Sequence, residues 1–150
     1  MRSTILRHIA GTKRSAPSPP LGVLEAVAAA LFAVFAYRFG PSVEALAYSS
    51  LGGFGVALAT TDLVARKLPN TLLAAAYGAL GAFIGVDAVL NARGGNLMRA
   101  ALAVAAALAI HGILYAQGAI AGGDLKLAGL LGAALGWISW EAAWSGLALG

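Results

Sequence analysis

The chain has 150 residues, of which 60% are hydrophobic and 11% are charged, whereas soluble domains carry about 25% charged residues. Together with a mean hydropathy of +0.83, this composition excludes an ordinary soluble domain and predicts that most of the chain lies in lipid. The absence of cysteine excludes disulfides, thiolate metal sites and a cysteine nucleophile. The net charge of +4 does not indicate a nucleic acid partner, because four of the ten basic residues lie in the first 14 positions, as in a membrane topology signal.

The first 20 residues differ in composition from the rest of the chain. They are polar and basic and end in the stretch Ser-Ala-Pro-Ser-Pro-Pro. This stretch lacks the periodicity and the apolar surface that folding requires, so we predict that residues 1–20 form a flexible basic tail in the cytosol. A signal peptide is the alternative, but its apolar part would begin unusually far from Met1. Residues 21–150 are then expected to form one domain embedded in membrane lipid.

Five apolar segments follow the tail, and each is close to the length that spans a bilayer. They cover residues 21–39, 43–61, 71–90, 98–116 and 126–147. Because lipid offers backbone groups no water to bond, each segment is expected to be helical. We therefore predict an all-α fold, a polytopic membrane helical bundle with about five transmembrane helices. Gly132 and Gly136, spaced as GxxxG, are a predicted contact between two of them.

The basic residues also predict the orientation of the bundle. With the tail in the cytosol, alternating spans place the loops 62–70 and 117–125 on the cytosolic side. Seven basic residues then lie inside and three outside, as the positive-inside rule requires. Trp137, Trp140 and Trp144 recur at helical spacing near the end of the last segment, where we expect an aromatic belt at the outer interface.

Two of the three aspartates, Asp62 and Asp124, lie at predicted helix ends on the same side of the membrane. A carboxylate near hydrocarbon is costly, which makes it a candidate for function. Two carboxylates close together in a poorly solvated site cannot both ionise easily, so one keeps a proton while the other stays charged. The charged group can activate water, and the protonated group can polarise a peptide carbonyl. The pair is therefore suited to peptide bond hydrolysis.

Each aspartate belongs to a short block of unusual sequence. After Asp62, a Pro-Asn pair interrupts the helix between two spans. Before Asp124, two glycines allow the backbone to come close to a substrate strand, and a helix that begins there favours the anionic carboxylate. A lysine follows Asp124 and is a secondary candidate. The residues expected to bind substrate or shape the site are Pro69, Asn70, Gly122, Gly123 and Lys126.

The two blocks resemble those of the type IV prepilin peptidases, which are GxGD-type membrane aspartyl peptidases, and especially the short forms that accompany Flp or Tad pili. One family pattern is an aspartate followed seven residues later by Pro-Asn. The other is Gly-x-Gly-Asp-x-Lys, in which Ala121 replaces the first glycine here. The resemblance implies that Asp62 and Asp124 are catalytic. It also implies a multi-pass protein of the bacterial inner membrane that cuts the N-terminal leader of a prepilin beside its hydrophobic helix.

Larger relatives carry a cytosolic insertion with paired cysteines and methylate the mature pilin. This chain has no cysteine and no room for that insertion, so we expect no methyltransferase activity, no metal and no organic cofactor. Two other functions stay open. One is a noncatalytic or degenerate component that binds prepilin or assembles the pilus. The other is a small transporter or proton pathway with Asp62, His111 and Asp124 as relay groups, although no inverted repeat supports it.

Overall fold

The computed structural model describes residues 21–65 and 68–149, and these residues form six α-helices and no β-strand. The helices are α1 (Leu21–Phe39), α2 (Val43–Ala65), α3 (Asn70–Leu90), α4 (Gly94–Ala116), α5 (Gly122–Ile138) and α6 (Trp140–Leu149). The predicted tail over residues 1–20, and the cations Arg66 and Lys67, lie outside the described residues. The predicted all-helical membrane bundle is confirmed.

Within the described residues, three helices are long and apolar enough to cross a membrane. They are α1, α3 and α4. Helix α2 is 23 residues long but carries hydroxyl groups. The Thr60 and Thr61 hydroxyls donate to carbonyl oxygens one turn earlier, at 2.6 and 3.1 Å. Hydroxyls bonded in this way need no water, so they are compatible with an apolar environment.

Two turns between helices bring three helix ends together at one end of the bundle. Helix α3 begins directly after Pro69, whose carbonyl oxygen accepts the N–H of Leu73 at 3.1 Å. After α4, Gly118 adopts a φ of 73°, which lets the N–H of Ala119 reach the carbonyl oxygen of Leu114 at 2.9 Å. The chain therefore turns sharply twice. The starts of α3 and α5 lie beside the end of α2, and we call this the site end of the bundle.

The segment 126–147 is not a single span, and that prediction is wrong. The helix stops before Ser139, which is extended (φ −165°, ψ 165°) and whose hydroxyl oxygen accepts an N–H from the first turn of α6 at 3.0 Å. Arg99 stabilises the end of α5 by donating to three successive carbonyl oxygens at 2.6–3.0 Å. Helix α6 then returns along α5, so that Gly146 lies beside Leu135.

Trp137 does not belong to an aromatic belt, so that prediction is also wrong for this residue. Its side chain is fully buried, and its Nε1–H donates to Glu44 Oε1 at 3.1 Å. Because the helix ends after Ile138, Trp140 and Trp144 lie on a different helix, α6. Both are exposed there, and their stacked rings have centroids 6.5 Å apart. A buried indole needs a partner for its N–H, and Glu44 supplies it.

An ionic network lies at the opposite end of the bundle, which we call the far end. Asp87 is 2% exposed and accepts a hydrogen bond from the Asn91 side chain at 2.8 Å. Arg93 donates to Asp87 at 3.4 Å and to Glu44 at 3.1 Å. A buried carboxylate requires such partners. This set joins the start of α2 to the end of α3, and Asp87 lies at the end of the bundle opposite to Asp62.

Small residues let α5 pack closely on α4, as the GxxxG spacing predicted. A methyl group at Gly132 would lie 3.0 Å from the carbonyl oxygen of Ala103, and one at Gly136 would lie 3.0 Å from the Cα of Ala100. Such distances leave no space for a side chain. The close contact fixes the depth of α5 in the bundle and hence the position of its first turn.

Candidate active site

Asp62 and Asp124 line one cavity of about 480 Å³ at the site end of the bundle. Asp62 lies in the last turn of α2, and Asp124 lies in the first turn of α5. Water occupies about 30 Å³ per molecule in the liquid, so the cavity has room for solvent and for a short peptide segment. The other lining residues are Leu68, Asn70, Leu73, Ala121, Gly123 and Lys126. The structure therefore brings both sequence blocks around one space.

Asp124 is held by the start of its own helix. Its Oδ2 accepts the backbone N–H of Ala121 at 3.2 Å, which is one half of a capping box. Ala121 is the residue before α5 and is extended, with φ −81° and ψ 156°. Its methyl group cannot cap the helix, so the carboxylate of Asp124 supplies the polar group. The N–H groups of this first turn also stabilise negative charge beside the cavity.

A hydrogen bond joins the two blocks directly. The Nζ of Lys126 donates to the Asn70 side-chain oxygen at 2.8 Å, and both residues line the cavity. Pro69 and Gly122 take other places. Pro69 precedes the first residue of α3. Gly122 packs beside the Tyr115 ring, and a Cβ added at Gly122 would lie 3.5 Å from Tyr115 Cε2. Asn70 and Lys126 are therefore at the cavity, while Pro69 and Gly122 shape the backbone next to it.

Tyr77 is a residue that the sequence patterns did not identify. Its hydroxyl donates to the carbonyl oxygen of Lys126 at 2.6 Å and lies where a side chain at Gly129 would be. A signal was present, because Tyr77 follows Asn70 by seven residues and therefore lies on the same helical face. The side chains of Asn70 and Tyr77, both on α3, each form a hydrogen bond with Lys126, so α3 holds the start of α5 at two points.

The sequence model of the type IV leader peptidase family matches residues 49–146, about two thirds of the chain. The chain belongs to this family. Asp62, Asn70 and Asp124 all lie within the matched region. This leader peptidase is therefore a membrane protease, and its family implies a substrate of the prepilin type. The chain matches no curated protein and no solved structure.

A contact inside the protein leaves little room for a side chain at Gly123 of this leader peptidase. A Cβ at this position would lie 2.7 Å from Leu68 Cδ1 and 3.3 Å from Leu68 Cβ. We expect Gly123→Ala to displace Leu68 together with the Pro69-Asn70 turn and to lower cleavage about 10- to 100-fold, because small displacements of reacting groups have effects of this size. Rates of precursor cleavage, measured at equal amounts of folded protein, test this.

Two further variants show whether the contact is the cause. Adding Leu68→Ala to Gly123→Ala removes the colliding atoms and is expected to restore most of the activity. Gly95 is the second residue of α4, as Gly123 is of α5, and an added Cβ there meets nothing within 4 Å. Gly95→Ala is therefore expected to stay within about twofold of the parent, because most surface substitutions have small effects. If the Gly123→Ala/Leu68→Ala variant cleaves as slowly as Gly123→Ala alone, the contact with Leu68 does not explain the loss of activity.

His111 of the leader peptidase does not line the cavity that Asp62 and Asp124 share. Its Nδ1 is 3.0 Å from the carbonyl oxygen of Ala107, one turn earlier in α4. It shares a separate cavity of about 260 Å³ with Asp124. Among the described residues, no group of three or more His, Cys, Asp or Glu side chains could hold a metal ion. In the part of the chain that the structure describes, the titratable groups lining the Asp62 cavity are Asp62, Asp124 and Lys126.

Proposed function

We propose that this chain is an aspartyl endopeptidase of the bacterial inner membrane that removes the N-terminal leader of Flp-type prepilins. The observation that carries the proposal is that Asp62 and Asp124, from two different helices, line a single cavity. The family match supports the leader as substrate. The distribution of basic residues supports an orientation in which the tail and the site end face the cytosol.

The two carboxyl groups have different surroundings, and these support different roles. Asp124 is in the first turn of α5 and accepts the Ala121 N–H, so its site stabilises negative charge. Asp62 is in the last turn of α2. The carbonyl groups at this end of the helix carry partial negative charge, which favours a side chain that donates a proton. We assign Asp124 as the general base and Asp62 as the general acid.

The reaction then follows without a covalent intermediate. Asp124 accepts a proton from water as the water oxygen bonds to the scissile carbonyl carbon, while Asp62 donates its proton to the carbonyl oxygen. The carbon–nitrogen bond of the tetrahedral intermediate breaks as the nitrogen takes the proton held by Asp124. The hydroxyl proton returns to Asp62 as the carbonyl forms again. One water is consumed, and a carboxyl and an amine are produced.

Cleavage of prepilin precursors in reconstituted membranes tests this function. The parent chain is expected to release the leader at one peptide bond, and the Asp62→Asn/Asp124→Asn double variant is expected to release it at least about 10²-fold more slowly. Mass spectrometry of the product is expected to give the mature pilin without an added methyl group, even when S-adenosylmethionine is supplied.

A parent that binds prepilins but cuts none would instead support the noncatalytic prepilin-binding component. A product with one extra methyl group would contradict the absence of methyltransferase activity.

A further inference from the structure

Side-chain hydrogen bonds link helices α2 and α5 at the far end of the bundle, and a cavity lies between the two helices towards the site end. At the far end, the Tyr48 hydroxyl donates to the Ala134 carbonyl oxygen at 2.5 Å, and Trp137 donates to Glu44 at 3.1 Å. Closer to the aspartates, a cavity of about 380 Å³ replaces direct contact between the two helices. Side chains therefore bridge the two helices at the far end, and an open cleft lies between them towards the site end.

The cleft is apolar along its walls and carries both aspartates at the site end. Its α2 wall repeats every three to four residues, so it lies on the helical face that ends at Asp62, and its α5 wall ends at Asp124. The other residues that line it are Gly55, Leu58, Ala59, Leu68, Leu127 and Leu131. The cleft is thus continuous with the candidate active site, because Asp62 and Asp124 line both spaces.

The shape of the cleft suits a helix and not a small polar molecule. Gly55 and Ala59 are exposed, one turn apart, and an added Cβ at Gly55 meets nothing within 4 Å. Small exposed residues let a second helix come close to the backbone of α2. On the other side, Leu131 is 44% exposed and offers apolar contact. An apolar helix that approaches through lipid would meet two walls of matching chemistry.

We propose that the cleft between α2 and α5 is the docking groove for the apolar helix of the prepilin substrate. The groove runs from Asp62 to Gly55 along α2 and from Asp124 to Leu131 along α5. On each helix the two end residues are seven positions apart, which corresponds to about 10 Å along the helix axis. The groove therefore holds the first two turns of the substrate helix beside the bond that is cut, and this inference rests on the proposed function.

Filling the groove tests the proposal through catalysis. Gly55→Leu places a large side chain into open space, so the protein is expected to fold while cleavage of full-length precursor falls at least about tenfold, mainly through a higher KM. Gly78 on α3 is exposed and also has open space around it, which makes Gly78→Leu the matched control. The control is expected to cut within about twofold of the parent. Equal activity of the two variants, in a parent that cuts, would overturn the groove and leave the peptidase assignment intact.

Disulfide cross-linking tests docking without catalysis, because the chain contains no cysteine of its own. We expect Ala59→Cys, combined with Asp124→Asn to prevent turnover, to cross-link under mild oxidation to a precursor that carries one cysteine in the first two turns of its apolar helix. Gly78→Cys in the same background is expected to give no such product, nor is Ala59→Cys with a precursor cysteine three or more turns further on. Equal cross-linking from both positions would overturn the groove. Specific cross-linking without cleavage by the parent would instead keep the groove and reject the peptidase function.

Discussion

Asparagine at either Asp62 or Asp124 is expected to lower leader cleavage by about 10²- to 10⁴-fold, the range attributed to general acid–base catalysis. Both residues line the same cavity, and in the proposed reaction each moves a proton that the other cannot move. Asparagine keeps the size of the side chain but neither donates nor accepts an acidic proton. The loss is therefore expected in kcat, measured with saturating precursor in reconstituted membranes.

The double variant distinguishes a catalytic pair from two separate contributions. Groups that act in one chemical step are strongly non-additive, so Asp62→Asn/Asp124→Asn is expected to lose little more than either single variant. Glu141 is exposed on α6 and outside the site, so Glu141→Gln controls for the loss of one carboxylate and is expected to cut at the parental rate. If either single variant keeps parental kcat while folded, the aspartyl mechanism is wrong.

The candidate site could be predicted from the sequence only where a residue differs chemically from its apolar surroundings. Asp62 and Asp124 are costly near lipid, and Pro69 and Asn70 interrupt a helix, so each differs from its apolar surroundings. Leu68 contributes to the same cavity but leaves no such mark. Leu68 lies in close contact with Gly123, and a leucine in the sequence of a membrane protein does not indicate which residue it contacts. Apolar packing partners of a site are set by the three-dimensional fold and not by local pattern.

The fold was predictable from apolar length, and it was mispredicted where length was misleading. The spans of α1 and α3 match the predicted segments closely, because turns with Pro or Gly bound them. The segment 126–147 has no such residue at its break, since Ser139 and Glu141 are the polar signals there. A serine cap followed by an acidic residue does mark a helix start, but it is weak within a run of tryptophan and alanine. Treating α5 and α6 as one helix then placed Trp137 at the surface.

Gly136→Ala is expected to destabilise the protein by about 1–3 kcal/mol, the usual cost of an extra methyl group in a packed interior. Its Cβ would lie 2.5 Å from Ala103 Cβ, 3.0 Å from Ala100 Cα and 3.2 Å from the Arg99 carbonyl oxygen. Two of these atoms belong to the α4 backbone, which cannot move aside as the end of a flexible side chain can. Helix α5 must shift instead, and it carries Asp124 in its first turn. A lower unfolding temperature in detergent, together with slower cleavage, is the expected result.

The sign of the effect separates packing from helix propensity. In a helix interior, alanine is favoured over glycine by about 1 kcal/mol, so Gly→Ala without a collision is expected to stabilise. Gly112 on α4 provides that case, because an added Cβ there meets nothing within 4 Å. Gly112→Ala is expected to unfold at the parental temperature or above it, and Gly136→Ala below it. If both variants gain stability, α5 does not approach α4 closely at Gly136, and the depth at which Asp124 is held has another cause.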